Sequence, residues 1–490
     1  MSYDIIESFL TAPTEERLDM FRRCPDACAL EAYLGKAAYK EYRKIASKVD
    51  KAHLGLKAPK NTIFVPGVMG SLLMNKSRGG IWWIDIRTRR HIDHLRLSPD
   101  GEQDADPDNQ IVPITTDPSY DSFLTAVLSR DDFGHELYPY DWRKPLCLSA
   151  TALKDLVLGM YDNNGKQPVH LIAHSMGGLV VRATLMDHGE TLWPKLGRIV
   201  FIGTPHYGSP AIAGYLKNHL WGFNLMALLG MYLSRETYRS LWGVLSMLPA
   251  PHGIYPGTRS KEPVWSAANA NATYNHPCAN FDMYEADKWK LDIEQPQIDR
   301  LQNVLNGAAE FHKRMYEAHQ ALDQDLRDRM MVIAGVGFKT LFRLAYKKGF
   351  FGLWEHTDKV TKRVADDPHR EGDGRVPLAS AALENVHIRY VKGIHGGLPN
   401  IAAVYEDVFR WLKGENMRLP DNLPEALSAH LAPGEGESET PNLDGTARTN
   451  PFTDDPGLWA ADPPAPKQLQ ELKEKLEIEQ LPEFTRVKIF

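Results

Sequence analysis

At 490 residues, 43% hydrophobic and 24% charged, the chain has the balance of an ordinary globular protein and the length for two or three structural units. Its 57 basic and 63 acidic side chains leave a formal charge of −6, which gives no footing for nucleic acid and argues against general adsorption to anionic membranes. No window approaches the roughly 18–20 consecutive apolar residues of a spanning helix. The opening "MSYDIIESFLTAPTEERLDMF" has no basic lead and no apolar run long enough for a secretory signal, so a cytoplasmic location is expected, with export by a signal-less route left open. The four cysteines, Cys24, Cys28, Cys147 and Cys278, are few and scattered and read as free thiols.

Residues 1–55 read as a helical segment: "TEERLDMFRRC" opens on a cap-like Thr14 with acids in its first turn. At Asn61 the texture changes. "TIFVPG", residues 62–67, is a short β-branched and aromatic run that ends in Pro-Gly, the mark of a buried strand entering a loop. Residues 76–130 read as an irregular, polar, lid-like insertion that opens near Trp82 and Trp83. "HELYPYDWR", residues 135–143, reads as a second strand, and "SATALKDLVLGMYDNNGK" as a helix stopped by Asn-Asn-Gly. A strand over 169–173, a helix over 176–188 and a strand within "LGRIVFIGTP" follow. Two late strands lie in "MMVIAGVG" and "VHIRYVKG", and "NIAAVYEDVFRWLKG" has the apolar spacing of an amphipathic helix. Short apolar runs alternating with helices predict parallel βαβ units in an open, doubly wound α/β sheet. Residues 206–329 read as a cap insertion whose aromatic stretch around Trp221 is either core or the cover of a lipid-sized pocket. Residues 56–414 thus form the main domain. Residues 415–490 form a Pro-rich, acidic linker and a tail with a short charged helix.

The chemistry centres on "PVHLIAHSMGGLVVRATL", residues 168–185, where an apolar run stops at Ser175. Serine is a poor nucleophile at neutral pH. It needs a base, a group to orient that base, and N–H donors for the oxyanion. A tight strand-to-helix turn presents the hydroxyl and sets a helix N-terminus beneath the developing charge, and it demands small neighbours. Ala173 and Gly177 stand two residues to either side, an A-x-S-x-G pattern. The bland alternative is a buried strand ending in an ordinary polar turn.

On α/β-hydrolase scaffolds the acid and the histidine follow the serine after late strands. "EGDGRVPLAS" offers Asp373 between glycines and "VKGIHGGLPN" offers His395 just past the last strand. The rivals are worse placed: Asp366, Asp367 and His369 in a charged loop, and His387 inside a strand. The oxyanion donors should be the N–H of Met176 and one from "PGVMGS", with Val68 the first choice and Met69 the second.

"VPGVMGS", "LYPYDWR", "AHSMGGLVVR", "FIGTPHYGS", "GDGRVPL" and "IHGGLP" stand in order from about Asn61 to Gly414. Together they resemble the lecithin:cholesterol acyltransferase-like family of α/β-hydrolases, which includes lipid acyltransferases, phospholipases and lipases. The resemblance implies a mostly parallel α/β-hydrolase sheet with lid and helical cap insertions, the triad Ser175/Asp373/His395, and an oxyanion hole of Val68 and Met176. It departs from secreted relatives in lacking their lid disulfides.

The expected activity is therefore that of a serine lipase, phospholipase or O-acyltransferase working through an acyl-enzyme. Two alternatives stand beside it: a soluble esterase or thioesterase for small acyl esters, and a lipid-binding protein without turnover. The expected partner is a lipid or acyl ester, with transient contact at a membrane surface and no nucleic acid; the sequence names no protein partner. Met69, Trp82, Trp83, His206 and Trp221 are the candidate substrate contacts, with a structural role the stronger reading for His206. Asp141 and Arg143 read as a buried ion pair or as a headgroup site. "HIDH", residues 91–94, has metal-like residues on an irregular loop, and neither metal nor cofactor is expected.

Overall fold

The structure is a computed structural model describing residues 2–12, 14–23, 29–31, 36–48, 60–83, 86–128, 130, 132–216, 233–256, 258, 282–340, 345–348, 354–357 and 371–423. Its centre is a six-stranded sheet built from β1 (Lys60–Val65), β5 (Gly134–Leu137), β6 (Val169–His174), β7 (Leu196–Ile202), β8 (Met330–Val336) and β13 (His387–Lys392). The spatial order is β5-β1-β6-β7-β8-β13, and every neighbouring pair is parallel. The inner strands β6, β7 and β8 are mainly apolar because both faces are covered, whereas the edge strands β5 and β13 are only partly buried and carry charged residues; the alternation of side chains decides which face each residue serves. Ile63, Val65, Leu171, Ala173, Ile199 and Phe201 face one core, with Leu153, Val157, Leu179 and Val180 from the helices Leu146–Asn163 and Gly177–Leu192. Phe64, Ile172, Val200 and Ile202 face the other, with Phe123, Leu124, Val404 and Val408 from the helices Asp121–Leu128 and Ala402–Lys413. This is the α/β-hydrolase arrangement expected from the sequence.

The chain order reverses between β1 and β6: the chain passes from β1 to β5 on one side, then returns to place β6 on the other. The crevice beyond the carboxyl ends of strands at such a reversal is where open α/β sheets hold their ligands.

The region expected to be irregular, 76–130, is more ordered than that. β2 (Ser71–Asn75) pairs antiparallel with both β3 (Ile81–Trp83) and β4 (Ile111–Thr116), and the helix Asp121–Leu128 follows. Strands of three to six residues interrupted by register shifts leave too short an alternation to read from sequence. The strand expected over 135–143 is also shorter, since only Gly134–Leu137 pairs with β1. Pro139 has no N–H for a ladder, and the Tyr140 N–H bonds the Ser71 hydroxyl instead (3.1 Å). The N-terminal helices Ser2–Thr11, Thr14–Arg23 and Lys36–Lys48 share a core with Leu72 and Ile81 of the small sheet. Buried Arg17 ties them down, donating to the carbonyls of Phe9 and Leu10 and to Thr115 Oγ1.

In the 206–329 stretch, the long helix Gln295–Gln320 packs on Gly177–Leu192, and Leu245, Leu301 and Val304 join the same core as the sheet. Trp221 and its apolar neighbours through Tyr232 lie outside the described residues, as do Cys24, Cys28, Cys278, Asp366, Asp367, His369 and the tail beyond residue 423. No helix among the described residues is long and apolar enough to cross a membrane.

Arg143 fastens these layers. It is fully buried, grips Asp141 through two parallel bonds (2.9 and 2.7 Å), and also donates to Asp104 (2.8 Å) and to the Leu95 carbonyl (3.0 Å). Its own carbonyl accepts the Gly243 N–H (2.9 Å). Removing the guanidinium would leave two buried carboxylates without a counter-charge. Arg143→Met should therefore destabilise the fold by about 3–5 kcal/mol, read as a lowered urea midpoint at constant slope; an unchanged midpoint would show that the charge cluster holds nothing.

Candidate active site

β6 ends at His174 and the next helix starts at Gly177, so two residues carry the chain from strand to helix. Ser175 absorbs the change of direction with φ 52°, a left-handed conformation that costs a non-glycine residue about 1–3 kcal/mol. Hydrogen bonds hold it there: Ser175 N–H donates to Ile202 C=O (2.9 Å), and Gly178 N–H donates to Ser175 C=O (3.0 Å). The motif's glycine is required by space. A Cβ at Gly177 would lie 2.4 Å from the carbonyl oxygens of both Val65 and Pro66, the end of β1.

Asp373 follows β12 (Glu371–Gly372), which pairs with β9 (Phe338–Lys339) just beyond β8; between them in the chain β10 (Ala345–Lys348) and β11 (Trp354–Thr357) pair antiparallel with each other. β8 itself makes room: a Cβ at Gly335 would sit 2.6 Å from Asp373 Cβ. Asp373 Oδ1 accepts the backbone N–H groups of Arg375 (2.9 Å) and Val376 (2.7 Å), which leaves Oδ2 for His395. His395 opens a 3-10 turn after β13, with its own N–H bonded to the Asp373 carbonyl (2.9 Å).

These elements join the three side chains in one line. His395 Nδ1 lies 2.7 Å from Asp373 Oδ2, and His395 Nε2 lies 2.8 Å from Ser175 Oγ. The carboxylate can only accept, so Nδ1 carries the proton and Nε2 offers its lone pair to the serine hydroxyl. All three are buried. His387, the rival described here, sits exposed at the start of β13, at the other end of the sheet, beside Asp328.

Gly67 to Gly70 form a β-turn closed by Gly70 N–H to Gly67 C=O (3.1 Å), with Met69 at φ 60°. Val68 occupies the corner of that turn, half-buried. The Met176 N–H lies at the start of the helix, where no intrahelical acceptor exists. Among the described residues neither of these N–H groups meets an acceptor.

The other candidates fall in different places. Trp83 is buried and donates its indole N–H to the Met69 carbonyl (3.1 Å), bracing the turn. Trp82 is buried and stacks on His91, a member of the "HIDH" run. His206 is buried edge-on against Phe201. Asp141 and Arg143 form the buried ion pair described above, with Asp104 an acidic partner that sequence reading did not name. No group of three or more His, Cys, Asp or Glu side chains that could hold a metal ion occurs among the described residues.

The lecithin:cholesterol acyltransferase family model matches residues 136–384, half of the chain. The chain belongs to that family. It is 21% identical to the phospholipase A(1) LCAT3 of Arabidopsis thaliana over 300 residues, 56% of this chain and 65% of that one. It is 26% identical to the uncharacterized protein YJR098C of Saccharomyces cerevisiae over 173 residues, 32% of this chain and 24% of that one. The chain therefore spans less than two thirds of the length of these curated relatives. Among solved structures, the Tle4-Tli4 complex aligns at 15% identity with a TM-score of 0.44, over 74% of this chain and all of the other.

The core that supports this site holds several neutral histidines. Burial pushes His170, His312 and His319 each down to about 4, and pushes His174 and His206 well below the usual range. In the unfolded chain each takes up a proton below about 6.5, whereas in the fold these sites stay neutral. The unfolded state therefore binds more protons as pH falls. The stabilisation is fully present above about pH 6.5 and is lost as pH falls toward 4, at about 1.4 kcal/mol per pH unit for each histidine. Urea midpoints at pH 7, 6 and 5 should drop steeply; a flat profile across that window would contradict the neutral burial of these rings.

Proposed function

We propose that the protein is a serine acyl-ester hydrolase or acyltransferase acting on lipid esters through an acyl-enzyme. The observation that carries this reading is the unbroken line Ser175 Oγ, His395 Nε2, His395 Nδ1, Asp373 Oδ2, with both hydrogen bonds under 2.9 Å. Membership of the lecithin:cholesterol acyltransferase family and the likeness to a plant protein named a phospholipase A(1) support a lipid ester over a small soluble one.

In this reading Ser175 Oγ attacks the ester carbonyl carbon as its proton passes to His395 Nε2. Asp373 holds Nδ1–H in place and stabilises the imidazolium, remaining a carboxylate throughout. The carbonyl oxygen becomes an oxyanion facing the N–H groups of Val68 and Met176 at the helix N-terminus. Collapse breaks the bond to the leaving alcohol, which takes the proton from Nε2, and leaves the acyl group on Ser175. A second hydroxyl compound then gives a proton to Nε2 and attacks the acyl carbon, and the reverse sequence frees Ser175. Water as acceptor releases a fatty acid; a lipid alcohol as acceptor makes a new ester.

The test is product analysis by mass spectrometry. Wild type and Ser175→Ala are incubated with mixed phospholipids and neutral glycerides, with and without an added lipid alcohol. Fatty acid or new ester made by wild type and absent with Ser175→Ala is the expected result. Asp373→Asn should lower kcat about 10⁴-fold through the wrong histidine tautomer. Wild-type turnover by Ser175→Ala would overturn the assignment. Failure of wild type to react with a covalent serine probe would favour a lipid-binding protein without turnover.

A further inference from the structure

His174, the residue before the proposed nucleophile, is fully buried and makes two hydrogen bonds. Its Nε2 lies 3.0 Å from the backbone carbonyl of His395, and its Nδ1 lies 2.7 Å from the Tyr120 hydroxyl. A carbonyl only accepts, so Nε2 carries the proton. Burial keeps the ring neutral, so Nδ1 is an acceptor and the Tyr120 O–H donates to it. The same hydroxyl oxygen accepts the Gly67 N–H (2.9 Å), the first residue of the turn that bears Val68.

Tyr120 is itself held by the segment that carries His395. Asn400, at the end of the 3-10 turn opened by His395, donates to the Ser119 carbonyl (2.6 Å) and accepts the Phe123 N–H (3.0 Å), one contact on each side of Tyr120. The tyrosine ring rests edge-on against Phe64 of β1. The packing leaves no slack: a Cβ at Gly67 would meet Ser175 Cβ at 2.9 Å, His174 Nδ1 at 3.2 Å and the Tyr120 hydroxyl at 3.2 Å.

We propose that Tyr120 and His174 are positioning residues that lock the oxyanion turn, the nucleophile and the base into one register. The bonds run from Gly67 N–H to Tyr120, from Tyr120 to His174, and from His174 to the His395 carbonyl, and Asn400 closes the circuit. The inference rests on the triad reading given above. Its consequence is specific to the transition state. A turn displaced by a fraction of an ångström binds the ester as before but meets the oxyanion poorly, so kcat falls while KM holds.

The experiment compares ester hydrolysis kinetics and the second-order rate of labelling by a fluorophosphonate probe for wild type, Ser175→Ala, Tyr120→Phe, His174→Leu and His174→Gln. Thermal melts verify folding. Tyr120→Phe removes a single oxygen, and should lower kcat and the labelling rate by about tenfold or more with KM little changed. His174→Leu, which loses both bonds, should fall at least as far. Glutamine can place an N–H and a carbonyl oxygen where the two ring nitrogens stand, so His174→Gln should recover most of the rate lost in His174→Leu. Labelling that survives Ser175→Ala overturns the nucleophile assignment and this inference with it. Labelling lost in Ser175→Ala but unchanged in both Tyr120→Phe and His174→Leu overturns this inference alone. So does equal impairment of His174→Gln and His174→Leu, because the ring would then act by bulk.

Discussion

A left-handed serine between a strand and a helix is an unfavourable local structure, and most of the surrounding fold can be read as what keeps Ser175 there. The backbone cost, about 1–3 kcal/mol, is met by contacts that exist only when β1, β6 and β7 are assembled. Ile202 of β7 accepts the serine N–H. The carbonyls of Val65 and Pro66 press so close to Gly177 that no side chain fits. Because β1 and β6 are the strands between which the chain order reverses, the turn after β1 and the turn after β6 emerge side by side. Gly67 and Ser175 are thereby brought so close that a Cβ at Gly67 would meet Ser175 Cβ at 2.9 Å, although 108 positions separate them. The cost of the strained residue is thus spread over a six-stranded sheet with two cores, and local unfolding of the elbow would require those cores to open.

Charge is handled by the same economy. Buried ionic groups are satisfied in three different ways. Asp373 receives two backbone N–H groups on one oxygen and His395 on the other, so both carboxylate oxygens are engaged. Arg143 draws one carboxylate from its own loop and one from the segment before β4. Among the described residues Arg182 has no acid partner; it donates to the carbonyls of His206 and Met315, and burial pushes it down to about 10. That cationic group and the neutral histidines around it make the interior between the helices Gly177–Leu192 and Gln295–Gln320 intolerant of further positive charge.

How much of this was legible in the sequence follows from which constraints are local. The elbow is local: a strand that must turn into a helix within two residues demands small neighbours, and Ala173, Gly177 and Gly178 advertise it. Asp373 is legible because its carboxylate needs the following backbone N–H groups, a tight turn that "GDG" permits, and His395 because it directly follows a strand. The partners that brace these residues are not local. Tyr120 meets His174 across 54 positions, and Asp104 meets Arg143 across 39. A lone tyrosine in a polar stretch carries no sign of that use. The small sheet of β2, β3 and β4 escaped notice for a related reason: its strands are too short for a period to emerge, and their pairing is set by the turn and by Trp83 beneath Met69. "HELYPYDWR" misled in the opposite direction, because its aromatic residues have strand propensity, yet they are buried by folding back over Ser71 rather than by continuing the ladder.

In the proposed mechanism the same line of residues would serve hydrolysis and transfer equally, because His395 Nε2 would accept a proton from whichever hydroxyl reaches the acyl carbon. Selection between acceptors must then come from occupancy. Ser175 and His395 are 2% and 8% exposed, so bulk solvent has little access to the proposed nucleophile and base. An alcohol held with its oxygen near Nε2 gains an effective concentration far above that of free solute, whereas an alcohol merely dissolved gains nothing. On that reading, what would separate a phospholipase from an acyltransferase on this scaffold is the surface that seats the second substrate, and not the acid, base or nucleophile. The triad can stay fixed while that surface changes, which is why a single fold family can contain enzymes of both kinds.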